Sequence, residues 1–146
     1  MTRVARGALP DGVFHVTTRG AKRAAIFRSD ADYSEFRGLL LRVAERFCWV
    51  VHAYCLMPNH YHLILETTQT HLSQGMHRLN GRYAQSFNER YDNSGHVFER
   101  RFWSWAIETD EHFERALAYV SLNPVEAGLC SRVTDWPWRD GPYDPD

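Results

Sequence analysis

Trp49-Val-Val-His-Ala-Tyr-Cys-Leu-Met-Pro-Asn-His-Tyr-His-Leu-Ile-Leu-Glu66 contains two β-rich runs, Trp49 to Leu56 and His60 to Glu66, joined by Met-Pro-Asn. Proline cannot donate to a ladder and asparagine tolerates unusual dihedrals, so the joint reads as a turn and the whole as a β-hairpin. Helical periodicity flanks it on both sides. Upstream, Tyr33, Phe36, Leu40, Val43 and Phe47 recur at three- and four-residue steps after a capping Ser29 or Asp30. Downstream, Leu72, Met76, Leu79, Tyr83 and Phe87 share one face of a helix expected over about Leu72 to Arg90.

Further out, Val13-Phe-His-Val-Thr-Thr-Arg19 alternates and is rich in β-branched residues, a strand ending at Gly20. Arg101 to Glu108 alternates more weakly and is expected as another strand. Thr109 then caps a third helix whose first turn holds Asp110 and Glu111, where the macrodipole favours acids. Asn123-Pro124 is expected to end it, because the residue before proline is pushed out of the helical region. The order is βαββαβ plus an extra C-terminal helix, which predicts an α+β, ferredoxin-like (RRM-like) sandwich. Both main helices lie on one face, and the third is free to cross the other. A single domain over 1–146 is expected, with its core at about 12–129 and an irregular tail over 130–146.

At 146 residues, 44% hydrophobic and 24% charged, the chain can bury a core without staples. Three cysteines without CxxC spacing argue against a disulfide framework or zinc ribbon and favour a reducing compartment. The N-terminus lacks an apolar h-region, so no secretory signal is expected. Phe47 to Leu65 is free of Asp, Glu, Lys and Arg, yet it carries His52, Pro58, Asn59, His60 and His62, unsuited to lipid. A cytoplasmic protein with no membrane partner is expected. Net charge is −1, but residues 1–101 carry 14 Lys+Arg against 9 Asp+Glu, and residues 102–146 carry 3 against 9. A neutral average can therefore conceal a basic face suited to a polyanion, although an ordinary solvated surface explains the same charges.

His60-Tyr61-His62 is the first chemical candidate. Residues i and i+2 of a strand share a side, so both imidazoles face one way, about 7 Å apart along the strand, while Tyr61 faces the other. Such a pair can share a divalent cation with a third ligand from elsewhere, and it also occurs in strands that bind no metal. Tyr119 and Asn123 are one helical turn apart. Counted from Phe113, they fall at about 240° and about 280°, on the flank of the apolar stripe. They could equally be an amphipathic tyrosine and a C-terminal cap. His15 and His52 lie in strands and read as packing or orienting groups. Glu99-Arg-Arg-Phe102 sets a basic pair among aromatic residues, as phosphate contact with stacking would need and as an edge strand with surface arginines would also show. With no Walker motif or GxGxxG, no nucleotide cofactor is expected.

Five ordered blocks carry a resemblance: Phe14-His-Val-Thr-Thr-Arg-Gly20, Leu56-Met-Pro-Asn-His-Tyr-His-Leu-Ile-Leu65, Leu79-Asn-Gly-Arg-Tyr-Ala84, Gly95-His-Val-Phe98 and Tyr119-Val-Ser-Leu-Asn-Pro-Val-Glu-Ala-Gly-Leu129. Together they resemble the HUH single-tyrosine transposases, and among them the REP-associated tyrosine transposases. The resemblance implies single-stranded or hairpin DNA as substrate and a divalent metal, Mg²⁺ or Mn²⁺, held by His60, His62 and Asn123. It also implies Tyr119 as nucleophile, leaving a 5′-phosphotyrosine and a free 3′-OH. Arg19, Arg82, Arg100 and Arg101 are the expected DNA-binding residues, the working unit is a monomer or a two-fold homodimer, and the expected location is the nucleoid of a prokaryote. No second DNA-binding module is expected.

Three departures from the family pattern stand out. Ala21 replaces a frequent Asn, Glu99-Arg100 replaces Gln-Gly, and Glu126 replaces the usual Arg. Glu126 reverses a charge near the helix end and so bears on target affinity rather than on chemistry. Two other classes fit parts of the sequence: a non-catalytic RRM-like single-stranded nucleic-acid-binding protein, and a small metallo-hydrolase using His60 and His62 with water. Tyr119 with Asn123 discriminates among them, since only the transposase needs both.

Overall fold

A computed structural model describes residues 12–145. The N-terminal stretch read for a secretory signal lies outside them. The elements are β1 (Gly12–Arg19), α1 (Asp30–Arg46), β2 (Val50–Met57), β3 (His60–Thr67), α2 (Gln69–Arg90), β4 (Trp103–Ile107), α3 (Asp110–Glu126) and β5 (Arg139–Asp140), with short 3₁₀ turns at Ala21–Arg23 and Val133–Asp135. The antiparallel sheet has the order β4-β1-β3-β2-β5, so the βαββαβ core takes the ferredoxin-like arrangement.

The strand alternation separates two cores. Phe14, Val16, Leu56, Tyr61, Leu63 and Leu65 point towards α1 and α2, where they meet Phe36, Leu40, Leu72, Met76, Leu79 and Tyr83. Val13, Ala53, Cys55, Met57, Ile64 and Ile107 point to the other face and meet Ala116, Leu117 and Val120 of α3. Met57 pairs with His60 across the two-residue Pro58-Asn59 turn, fixing the hairpin register. Gly20 closes β1 where the backbone is crowded: a Cβ there would come 2.1 Å from the Ala24 carbonyl oxygen, and its N–H donates to Asn59 O at 2.8 Å.

Strand β4 is shorter than the expected Arg101 to Glu108, and three larger differences from the sequence reading stand out. Helix α2 begins at Gln69, because the Thr68 hydroxyl accepts the His71 N–H at 3.2 Å and adds a polar turn ahead of the apolar stripe. Helix α3 does not end at Asn123-Pro124 but continues to Glu126. Pro124 is buried in the last turn, and the lost donor is offset by closure beyond it: Ala127 N–H bonds Asn123 O, Gly128 N–H bonds Val125 O, and Leu129 N–H bonds Pro124 O. The tail, expected to be irregular, adds β5 to the β2 edge and inserts Trp136, whose indole N–H donates to Leu56 O at 2.9 Å.

An ion pair between a buried aspartate and an exposed arginine ties the helix layer together. Asp32 in the first turn of α1 has no solvent exposure. Its Oδ1 pairs with Arg90 at the end of α2, and its Oδ2 accepts from the Tyr91 hydroxyl at 2.6 Å and from Arg28 N–H at 2.8 Å. Removing the carboxylate leaves three donors short of an acceptor. Asp32→Ala should lower stability by about 3 kcal/mol, since Arg90 retains partial access to water. A urea-unfolding midpoint unchanged from the parent chain would contradict this role.

Candidate active site

Strand β3 pairs on both sides, so its backbone is fixed and its side chains must alternate. Tyr61 therefore turns into the helix-side core, where its hydroxyl donates to Asn80 Oδ1 at 2.6 Å and accepts from Thr18 at 3.0 Å. Burial raises its pKa, and it stays a neutral structural phenol. His60 and His62 emerge on the α3 side with ring centres 5.1 Å apart. Tyr119 reaches the same place from α3, its ring 5.6 Å from His62 and 5.9 Å from His15, and it is half exposed. One turn later, the Asn123 side chain comes near enough to His60 to act on its titration. The structure thus brings His60, His62, Tyr119 and Asn123 together from two elements.

His15 belongs to this cluster as well. It lies on β1, and its Nε2 hydrogen-bonds His62 Nδ1 at 3.0 Å. Period-two alternation could have placed it on the α3 face with Val13, but its cross-strand neighbours depend on register. His52 is elsewhere: it occupies a bulge in β2 and bonds Glu66 at 3.1 Å. His60 Nδ1 also meets Asn59 Oδ1 at 2.8 Å. Each histidine of the pair thus has Nδ1 engaged by a neighbour, which fixes ring orientation and leaves Nε2 to face the site.

Burial lowers the pKa of all three imidazoles. His62 falls from 6.5 to about 3, through burial first and then His15, His60 and Arg19. His15 falls to about 4, through burial and then His112. His60 is also lowered, mainly by burial, with the Asn123 side chain opposing the shift. Neutral imidazole is the form that ligates a metal, so two such rings beside an amide oxygen fit a divalent cation. Among the described residues no group of three His, Cys, Asp or Glu is placed to hold a metal ion, so the available third donor beside His60 and His62 is Asn123.

The four arginines fall in different places. Arg19 pairs with His60 across the β1–β3 ladder, and its charge acts on both His60 and His62. Arg82 lies on the opposite side of the sheet, beside Arg42, Arg46 and Arg78 along the α1–α2 groove. Arg78 is held below the ordinary arginine pKa there, first by Arg46, with Arg82 adding to the effect. Arg100 and Arg101 line the cleft between α2 and the loop before β4. Only Arg19 of the four joins the histidine cluster.

Buried neutral histidines make stability pH-dependent. In the unfolded chain they take protons near 6.5, whereas folded His15 and His62 stay neutral down to about 4 and about 3. Below 6.5 the unfolded state binds more protons, so this stabilisation is complete above that pH and is lost as pH falls towards 4 and 3. With a chelator present, the denaturation midpoint should drop between pH 7 and pH 4.5, and His15→Gln should flatten the drop. A pH-independent midpoint across that range would contradict the assignment.

Known transposases resemble this chain in sequence and in fold. A REP-associated tyrosine transposase of Escherichia coli is 24% identical over 109 residues, covering 73% of this chain and 63% of its own length. A Haemophilus influenzae protein provisionally given the same name is 29% identical over 120 residues, covering 73% and 68%. A solved REP-associated tyrosine transposase, bound to a REP hairpin, superposes with a TM-score of 0.74 at 20% identity, over 95% of this chain and 82% of that one. The model of the IS200-like transposases matches residues 9–123, and the chain belongs to that family.

Proposed function

We propose that the chain nicks and rejoins single-stranded DNA beside hairpins or repeats, using Tyr119 as a covalent nucleophile. The observation that carries this reading is a half-exposed tyrosine in ring contact with His62 and His15, one turn before an asparagine whose side chain acts on His60. The solved relative's REP hairpin supports hairpin DNA as the substrate class. Arg19 beside His60 supplies a cation for a neighbouring phosphate.

In the proposed step the Tyr119 oxygen bonds to phosphorus and the bond from phosphorus to the 3′ oxygen breaks. The phenolic proton leaves to solvent and the departing 3′ oxygen gains one. A phosphotyrosine on the 5′ end and a free 3′-OH remain. One phosphodiester replaces another, so a later 3′-OH can reverse the step without nucleotide energy. A neutral phenol is a weak nucleophile and needs activation for this attack. His60, His62 and Asn123 would hold a divalent cation, which polarises the scissile phosphate and offsets developing charge. Two imidazoles with one amide suit Mn²⁺ better than Mg²⁺, which prefers all-oxygen sites.

The test is covalent capture of a hairpin oligonucleotide with single-stranded flanks, in Mn²⁺ or Mg²⁺, on a denaturing gel. A protease-sensitive adduct should form, should need less Mn²⁺ than Mg²⁺, and should vanish in Tyr119→Phe and fall at least a hundredfold in His62→Ala. Clear binding without any adduct would assign the chain to the non-catalytic binding class. An adduct surviving Tyr119→Phe would move the nucleophile to another residue.

A further inference from the structure

Trp103 and Trp105 are 60% and 49% exposed, whereas Trp49 is buried and Trp136 and Trp138 pack against the helix-side core. Both exposed indoles belong to β4, at the sheet edge, where Trp103 pairs with Thr17 and Trp105 with His15. Cross-strand partners share a face, so both rings project on the side of His15, His62 and Tyr119. The Trp105 ring lies 5.5 Å from His15, which in turn touches His62 and Tyr119. Trp105, His15, Arg115 and Tyr119 line an open cleft of about 380 Å³. Helix α3 covers Ala53, Cys55, Ile64 and Ile107 but leaves these two indoles bare.

We propose that Trp105, with Trp103 beside it, is a stacking platform for an unpaired nucleobase next to the phosphate presented to Tyr119. The inference rests on the DNA-nicking reading and adds positioning residues to it. An exposed aromatic surface continuous with the candidate nucleophile offers a face that any base can stack on, while nearby Arg19 carries the positive charge a connecting phosphate needs. Stacking fixes the strand's path across the sheet, and with it the phosphate that meets Tyr119. A base paired in a hairpin stem cannot use this platform, so the contact selects single-stranded flanks.

The test separates stem from flank in a Tyr119→Phe background with Mn²⁺, where cleavage cannot disturb equilibrium binding. One probe is a hairpin with a single-stranded tail of about ten nucleotides, and the other is the same hairpin without the tail. The tailed probe should quench tryptophan emission, and Trp105→Leu should weaken its binding about tenfold while leaving the blunt hairpin unaffected. Trp105→Phe should restore most of the affinity, because it keeps an aromatic face, and circular dichroism should show all variants folded. Equal loss for both probes, or no loss for either, would overturn the platform. A tryptophan variant that shifts a dimer to monomer without changing tailed-probe affinity would assign the face to a second copy of the chain. If neither probe binds the Tyr119→Phe protein, the proposed function itself fails.

Discussion

Strand β3 has a ladder on each edge, helices on one face and α3 on the other, and that position constrains everything around it. A slip of one residue would turn Tyr61, Leu63 and Leu65 towards α3 and drive His60 and His62 into the core of large apolar side chains. The desolvation cost of misplacing two imidazoles, added to the loss of the Tyr61 hydrogen bonds to Thr18 and Asn80, makes the register a strong minimum. The same alternation that builds the larger core therefore orients the histidine pair. Stability and site geometry come from one strand and cannot be varied independently.

Helix α3 divides the second face unevenly. Its apolar stripe of Ala116, Leu117 and Val120 settles on Val13, Ala53, Cys55, Ile64 and Ile107. Tyr119 and Asn123 lie on the flank of that stripe, so burying it brings them to the rim where covered sheet gives way to open sheet. A tyrosine on the stripe itself would be sealed, as Tyr61 and Tyr83 are, and burial raises the pKa of both those phenols. Tyr119 keeps half its surface and so stays accessible to a macromolecular substrate. The closed turn after Pro124 extends the helix past Asn123 and holds that amide within reach of His60.

The main order of elements, the split sheet and the facing of His60 against Tyr61 were legible in the sequence because they rest on local periodicity. Ser29 and Thr109 were legible as caps for the same reason, and both side chains accept the expected backbone N–H. What local pattern cannot carry is the meeting of distant segments. No local pattern marks Asp32, because Arg90 and Tyr91 come to it only through the packing of α1 on α2. His15 joins His62 only through the β1–β3 register. Trp103 and Trp105 alternate correctly for an edge strand, but their exposure depends on how far α3 reaches. Pro124 misled because proline's local cost was weighed without its burial and the backbone bonds beyond it. Arg82 was expected to bind DNA, and the α2 helix that carries it packs on the face away from the histidines.

Charge balance around the histidine cluster has a further consequence. His15, His60 and His62 are kept neutral, Asn123 is uncharged, and Glu126 lies exposed at the end of α3. The donors that converge there therefore contribute no negative charge of their own. In the proposed reaction the positive charge brought by a divalent ion and by Arg19 would be matched by phosphate rather than by protein carboxylates. Such a site would bind a metal less tightly than a carboxylate-rich one and would direct more of the ion's field at the substrate. In that proposed reaction burial of the imidazoles would serve both ends: it suppresses their protonation, which would repel an ion, and it would lower the local dielectric around a bound phosphate.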